Sequence, residues 1–396
     1  MRVVIIGVGT RGDVAPYTGL GARIRAAGHE VAIAAHAPYS SLVTDAGLDF
    51  RAIPGDPAAI LGTRKWAGFA DYARQVTDGI VDVATAGADL LLLGVSASAG
   101  YHVAEAMGIP SMGVHLQPVE PTGDFPPVMG AFRRSLGRWG NRAAARLMFA
   151  GPSPAHSGSA KKLRARLGLA PMSSRAVYRR RESSRWPVFH GYSPSVLPRP
   201  ADWRPGLEVS GYWWPAPRPA WTPPGDLAGF LDAGPPPVFV GSGSHGGAAA
   251  ERFTDLALAA LRLAGLRGVL QTGVTGPLTG DVLGVGEVPH EWLFPRMAAV
   301  VHHAGAGTAA AGLRAGVPAV AMPVWGDQPL WAGRLWRLGV APAPLTGRIT
   351  AERLASAVAE AVPRRTRAEE IAGRIAAEDG AAPVVEAVER ACITSL

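Results

Sequence analysis

The 396-residue chain has a single cysteine, Cys392, close to its C-terminus. One thiol forms neither an internal disulfide nor a cysteine-based metal site, which points to a reducing cytoplasm. Lysine is nearly absent: with only Lys65, Lys161 and Lys162 present, the formal charge of +8 is carried by arginine. Charged residues make up 18% of the chain and hydrophobic ones 48%, which excludes global disorder and suits sizeable buried cores. No run reaches the roughly 18 to 20 apolar residues needed to cross a bilayer, so stable membrane insertion is not expected. The apolar start after Met1 is too brief for a signal peptide, and Arg11 and Asp13 interrupt it. No Gly-Lys pair occurs, which excludes a Walker A loop. The densest basic run, Arg175, Arg179, Arg180, Arg181 and Arg185, reads as a solvated face, with anion or membrane-surface contact as the alternative. No nucleic-acid partner is expected.

What the chain does contain is alternation. Val3–Ile6 is a continuous β-branched run suited to a parallel strand covered on both faces. Ala15–Ala27 has helical spacing and ends at Gly28, Val31–Ala35 is a second strand, and Asp49–Ile53 a third. Asp89–Leu93 and Ser111–His115 read as further strands around a helix over Ala97–Met107. The alternation restarts with a strand at Pro237–Gly241, a helix at Ala248–Ala264 and strands at Arg267–Gln271, Ala299–His302 and Ala319–Pro323. This is an α/β chain with two doubly wound parallel sheets. The expected division is residues 1–212, a Pro/Trp-rich linker at 213–224, a second domain at 225–378 and a final helix at 379–396. A cleft between the two domains is the expected ligand site.

Gly7-Val8-Gly9-Thr10-Arg11-Gly12 satisfies G-x-G-x-x-G directly after a strand. A dinucleotide site also needs a carboxylate at the end of the second strand, where Ala34-Ala35-His36-Ala37 offers none. The glycines are instead expected to let a substrate approach the strand-to-helix turn. Asp13, at the expected start of the first helix, has two readings: an N-cap, or a general base useful where proton removal is concerted with bond formation. Residue chemistry alone leaves both open.

In the second half, Val300-Val301-His302-His303-Ala304-Gly305-Ala306-Gly307-Thr308 runs from a strand through two histidines into small residues opening a helix. Free N–H groups and partial positive charge at a helix start suit a phosphate. His303 adds a donor and Thr308 a hydroxyl. Gly241-Ser242-Gly243-Ser244 is a second strand-to-glycine turn, with Ser242 and Ser244 as candidate diphosphate contacts. Asp327 and Gln328 follow a third strand and could grip sugar hydroxyls, although Asp327 also reads as an N-cap.

Taken together, these segments resemble the GT-B glycosyltransferase family 1 group containing sterol 3-β-glucosyltransferases and macrolide and glycopeptide antibiotic glycosyltransferases. The resemblance rests on Gly9–Val14, Leu116–Thr122, Gly191–Pro194, Gly211–Trp213, Val288–Arg296 and His302–Gln328. It implies an acceptor-binding first domain and a donor-binding second domain, with the last helix crossing back to the first. It implies Asp13 as catalytic base and His303 as the group meeting the diphosphate. Gly305, Ala306, Gly307 and Thr308 would surround it, with Val288 presenting its backbone to the pyrimidine and Asp327 and Gln328 holding the sugar. Acceptor candidates are Thr10, Arg11, Trp66, His115, Phe125 and Met129. Ala304 departs from the glycine common in relatives, and Ser242 stands where relatives often have an aromatic.

The expected function is inverting transfer of a hexose from a UDP- or dTDP-sugar to a hydroxyl of an apolar acceptor, without metal and with no cofactor beyond the donor. A nucleotide-sugar hydrolase or epimerase, or a non-catalytic nucleotide-sugar-binding module, are the alternatives. Sequence is compatible with a monomer or a homodimer.

Overall fold

The computed structural model describes residues 1–57, 66–128, 135–150, 154–217, 221–241 and 248–394. The chain divides into two compact units. The first comprises Met1–Pro194, Pro198–Pro219 and Asp379–Leu396; the second comprises Ser195–Leu197 and Ala220–Glu378.

The first unit is built on β1 (Arg2–Ile6), β2 (Glu30–His36), β3 (Asp49–Ile53), β4 (Leu90–Leu93), β5 (Ser111–His115), β6 (Val188–His190) and β7 (Leu207–Val209). They form one parallel sheet in the order β3-β2-β1-β4-β5-β6-β7. A parallel sheet is covered on both faces, which is why Val3, Val4, Ile5 and Ile6 are all at most 1% exposed. Burying each such side chain stabilises the fold by about 1.5–3 kcal/mol. The helix Ala15–Ala26 lays Leu20 and Ile24 on this sheet. The C-terminal helix Ala382–Thr394 adds Val384, Ala387 and Val388 to the same core. Trp213 also belongs to that core, and its Nε1 donates to the Gly380 carbonyl at 2.8 Å.

The second unit carries β8 (Val238–Gly241), β9 (Gly268–Gln271), β10 (Gly276–Thr279), β11 (Val282–Gly284), β12 (Ala299–His302) and β13 (Ala319–Ala321). Their order is β10-β11-β9-β8-β12-β13, parallel except for the antiparallel β10–β11 edge. The two sheets are Rossmann-like, and in each the strand order reverses once beside the first strand. The reversal lies between β1 and β4 in the first unit and between β8 and β12 in the second. Such switch points, at the carboxyl ends of the strands, are where open α/β sheets bind ligands.

Among the described residues, no helix is long and apolar enough to cross a membrane.

Candidate active site

Beyond the carboxyl end of β1 the chain makes a 3-10 turn, Arg11–Asp13, before the helix Ala15–Ala26 begins. Asp13 therefore sits one residue ahead of the helix N-cap, which is Val14. Its Oδ2 accepts from the Thr10 N–H at 2.8 Å and from Thr10 Oγ1 at 3.0 Å. Its Oδ1 accepts from Gln117 Nε2 at 3.4 Å, reaching over from the segment after β5. Thr10 thus orients the carboxylate. Burial raises the Asp13 carboxyl above the ordinary aspartate value, while the bonds from Thr10 and Gln117 pull the other way.

The glycine fingerprint has an internal use. A Cβ on Gly9, whose φ is +144°, would lie 2.4 Å from Asp13 Oδ2. A Cβ on Gly7 would lie 2.9 Å from the Tyr17 ring. The expectation that these glycines open the turn to a substrate is corrected: the space is filled by Asp13 and by Tyr17, whose hydroxyl donates to the Val114 carbonyl at 2.6 Å.

Other polar groups end at the same sheet edge. His36 closes β2; its Nδ1 donates to the Ile53 carbonyl at 3.2 Å, so its bare Nε2 accepts from the Tyr72 hydroxyl at 3.0 Å. Burial and then the Asp13 charge push the Tyr72 phenol up to about 12. Tyr39 is raised for the same two reasons. Gln117, His36, Tyr39 and Tyr72 were absent from the sequence-derived site. Their signal is positional: Gln117 and Tyr39 come just beyond β5 and β2 and Tyr72 lies on the helix after β3, and only the fold brings these three near Asp13, with His36 bonded to Tyr72.

The acceptor candidates fall in several places. Thr10 is bound to Asp13, Arg11 is exposed, and Phe125 is buried. His115 is 5% exposed inside the unit, with Nδ1 3.9 Å from Glu120 and its ring edge-on to His190. Trp66 opens the helix Trp66–Thr85, and its side chain lies outside the described residues. Met129 lies outside them altogether.

In the second unit, β12 ends at His302, which is 1% exposed and whose Nδ1 accepts from the Ala304 N–H at 3.0 Å. Burial, followed by the neighbouring His303, pushes His302 down to about 3, so it is neutral with its proton on Nε2. That bond bends the chain through Ala304, which adopts a left-handed φ of +60°. An L-residue there costs about 1–2 kcal/mol, part of which glycine would forfeit through a freer unfolded chain. Ala304→Gly should therefore raise stability by roughly 0.5–1 kcal/mol, seen as a thermal melt about 1–4 °C higher. A melt lowered by several degrees would show that the alanine methyl contributes more in packing than the backbone loses in strain.

After that bend, Gly305 caps the helix Ala306–Arg314 with no side-chain bond. The first amide bonded back into the helix is Ala309, to the Gly305 carbonyl at 2.9 Å. The N–H groups of Ala306, Gly307 and Thr308 thus precede the first intrahelical bond and present a helix N-terminus. Gly305 and Gly307 differ in purpose. A Cβ on Gly305 would lie 2.7 Å from His303 Nε2, so that glycine seats the His303 ring over the helix start. A Cβ on Gly307 would meet nothing within 4 Å among the described residues. The geometry is that of an anion site with a neutral-histidine neighbour on its floor and a second histidine beside it.

Gln328, 8% exposed, accepts on Oε1 from Val324 N–H at 2.8 Å and Trp325 N–H at 3.2 Å. Its carbonyl thus shapes the loop, leaving the amide NH2 as its donor. Asp327 Oδ2 accepts from Trp331 Nε1 at 2.7 Å. Val288 is buried after β11, and its backbone N–H and C=O make no backbone hydrogen bond among the described residues. Ser242 and Ser244 lie outside the described residues. Among those described, no group of three or more His, Cys, Asp or Glu side chains is placed to hold a metal ion.

Two Rossmann-like units, with a half-buried carboxylate at the first switch point and a helix N-terminus at the second, are the parts of a GT-B glycosyltransferase. Residues 3–119 match the glycosyltransferase family 28 N-terminal domain, and residues 271–394 the erythromycin biosynthesis protein CIII-like C-terminal domain. The chain is 37% identical to O-mycaminosyltylonolide 6-deoxyallosyltransferase of Streptomyces fradiae, over 91% of its length and 90% of the relative's. It is 33% identical to a sterol 3-β-glucosyltransferase of Arabidopsis thaliana over 87% of this chain, spanning 58% of that longer protein. The solved glycosyltransferase VinC in complex with dTDP shares the fold, with a TM-score of 0.68, 22% identity and 99% of each chain covered. The chain belongs to the GT-B glycosyltransferase family that holds these antibiotic and sterol enzymes, and it is a glycosyltransferase.

Proposed function

We propose that the chain transfers a hexose from a UDP- or dTDP-sugar to a hydroxyl of an apolar polyketide- or sterol-like acceptor, inverting the anomeric carbon and using no metal ion. The observation that carries this reading is the open helix start at Ala306–Thr308 with the His303 ring seated over Gly305. A departing nucleoside diphosphate gathers negative charge, and preorganised N–H donors at a helix N-terminus stabilise it as a cation otherwise would. Asp13 takes the proton of the acceptor hydroxyl as that oxygen attacks the anomeric carbon. A carboxylate is a weak base, and the step is concerted, so the proton leaves only as the bond forms. Asp327 and the Gln328 amide engage hydroxyls of the sugar, and the Val288 backbone engages the base. Relatives acting on a tylonolide and on sterols support an apolar acceptor.

Mass spectrometry of purified protein with UDP- and dTDP-sugars against a panel of macrolide, polyketide and sterol alcohols tests the reading directly. A product heavier by one hexosyl unit is expected, at a rate that excess EDTA leaves unchanged. Transfer abolished by EDTA and restored by magnesium would overturn the leaving-group argument. Release of free sugar with no acceptor-dependent product would replace transfer by hydrolysis.

A further inference from the structure

The first unit contains a second polar centre that the reaction above leaves unused. Glu120 is 6% exposed, yet no group among the described residues donates a hydrogen bond to its carboxylate. The nearest cation is Arg181 at 3.7 Å, itself drawn over the Trp186 ring at 4.1 Å, and His115 lies 3.9 Å away. Glu120 lies on the wall of a crevice of about 280 Å³ that Arg142, Tyr178 and Trp203 also line. Two buried donors on the same walls make no hydrogen bond among the described residues: the indole Nε1–H of Trp203 and the Nε–H of Arg142, which stands 3.8 Å from Asp202 Oδ2, an ion pair beyond hydrogen-bond reach. Trp203 is 4% exposed and is held by a stack on His190 at 4.5 Å. Arg146, also on the walls, is hydrogen-bonded to Tyr178, whereas Arg204, Glu182 and Asp202 are committed elsewhere. Arg204 Nε donates to Glu182 at 2.7 Å, and Asp202 accepts from Thr122 Oγ1 at 2.7 Å and from the Gly123 N–H at 2.8 Å.

Buried polar groups are costly unless hydrogen-bonded, and here acceptor and donors are left open around one space. A carboxylate needs donors, whereas the indole and guanidinium N–H groups need acceptors. Hydroxyl groups serve both. The crevice is far larger than one water requires and close to the small-ligand range that begins near about 300 Å³. Tyr178 and Trp203 add aromatic surface of the kind that packs against the C–H face of a sugar ring.

We propose that this crevice is a saccharide subsite, in which a pyranose donates a hydroxyl hydrogen to Glu120 and accepts from Trp203 Nε1 and Arg142 Nε. Its walls belong wholly to the first unit, and none of them is a residue assigned to the donor sugar. The sugar reaches it either free in solution or already attached to the acceptor. Only the second source rests on the transferase reading.

The test titrates methyl β-D-glucopyranoside and methyl α-L-rhamnopyranoside into the full chain, with calorimetry and tryptophan fluorescence as readouts and UDP and dTDP titrated in parallel. At least one glycoside should bind saturably. Glu120→Gln and Trp203→Phe, each checked by thermal melt for folding, should weaken it about tenfold, as loss of a bond to a charged or buried group implies. Nucleotide affinity should not move. Comparing an acceptor with its monoglucoside separates the sources. A higher KM for the monoglucoside alone in Glu120→Gln places the sugar on the acceptor; two unchanged KM values with lost glycoside binding make it a free ligand. No saturable glycoside binding by the wild type, together with equal KM effects on both acceptors, overturns the subsite. So does glycoside binding that Glu120→Gln preserves and Asp327→Ala removes. Failure of both nucleotides to bind counts against the transferase reading instead.

Discussion

Asp13→Asn should lower turnover at least about a hundredfold while leaving nucleotide affinity unchanged, the usual magnitude for removal of a general base. The asparagine is nearly isosteric, and its Oδ1 can still accept from the Thr10 N–H, so the turn between β1 and the first helix persists. The ability to take a proton is lost, together with one acceptor for the long Gln117 bond at 3.4 Å. The wild-type pH profile should carry the signature of the same group. Asp13 is active when ionised, and burial raises its carboxyl above the ordinary aspartate value. Activity is therefore present above that raised value and lost as pH falls through it, with the acid limb lying above that of an exposed aspartate. The stability consequence has the opposite sign to a salt-bridged acid. A raised folded-state value means the native state holds this proton more tightly than the unfolded chain, so ionising Asp13 above that range opposes folding. Asp13→Asn should hence melt at or above the wild-type temperature near neutral pH while losing its turnover. Near-normal turnover would remove Asp13 from the chemistry, and loss of both activity and folding would return it to a structural turn residue.

How much of this was legible in the chain follows from period and length. Strands such as Val3–Ile6 and Leu90–Leu93 are continuous apolar runs, and their burial on both faces is written in composition. The helix Ala248–Ala264 was legible to the residue. β6 and β7 are three residues each, too short to show a period, and passed unseen although they widen the first sheet to seven strands. The helices Gly137–Ala150 and Ser174–Ser183 were equally missed; the second carries four arginines in ten residues and no buried side chain, leaving little apolar stripe to find. Second-unit site positions were readable because strand, histidines and small-residue helix start are contiguous. The surroundings of Asp13 were not, because Gln117 and Tyr72 approach it from 104 and 59 positions away along the chain, and only the strand order brings them to one edge. The glycine fingerprint misled for a related reason. A pattern records that space is needed, not what fills it, and here the Asp13 carboxylate and the Tyr17 ring fill it.

His303→Ala should cost about 10²- to 10³-fold in kcat, the scale set by removing one preorganised donor to a developing negative charge. The neighbouring backbone gives the prediction a sharper form. Because a Cβ on Gly305 would stand 2.7 Å from His303 Nε2, Gly305→Ala must push the imidazole off the helix start without deleting it. That variant should reproduce most of the His303→Ala loss, whereas Gly307→Ala meets no described residue within 4 Å and should act through nucleotide affinity instead. Leaving-group dependence separates a charge-stabilising role from simple binding. If His303 supports the departing diphosphate, an activated aryl glycoside donor, whose phenolate leaves with little help, should lose far less rate in His303→Ala than the natural nucleotide sugar does. Equal losses for both donors would mean that His303 positions the sugar rather than its leaving group. A rise in KM with kcat untouched would reduce it to a contact made equally in ground and transition states. The helix amides cannot be deleted by substitution, so the activity remaining in His303→Ala measures what the open N-terminus at Ala306–Thr308 supplies alone.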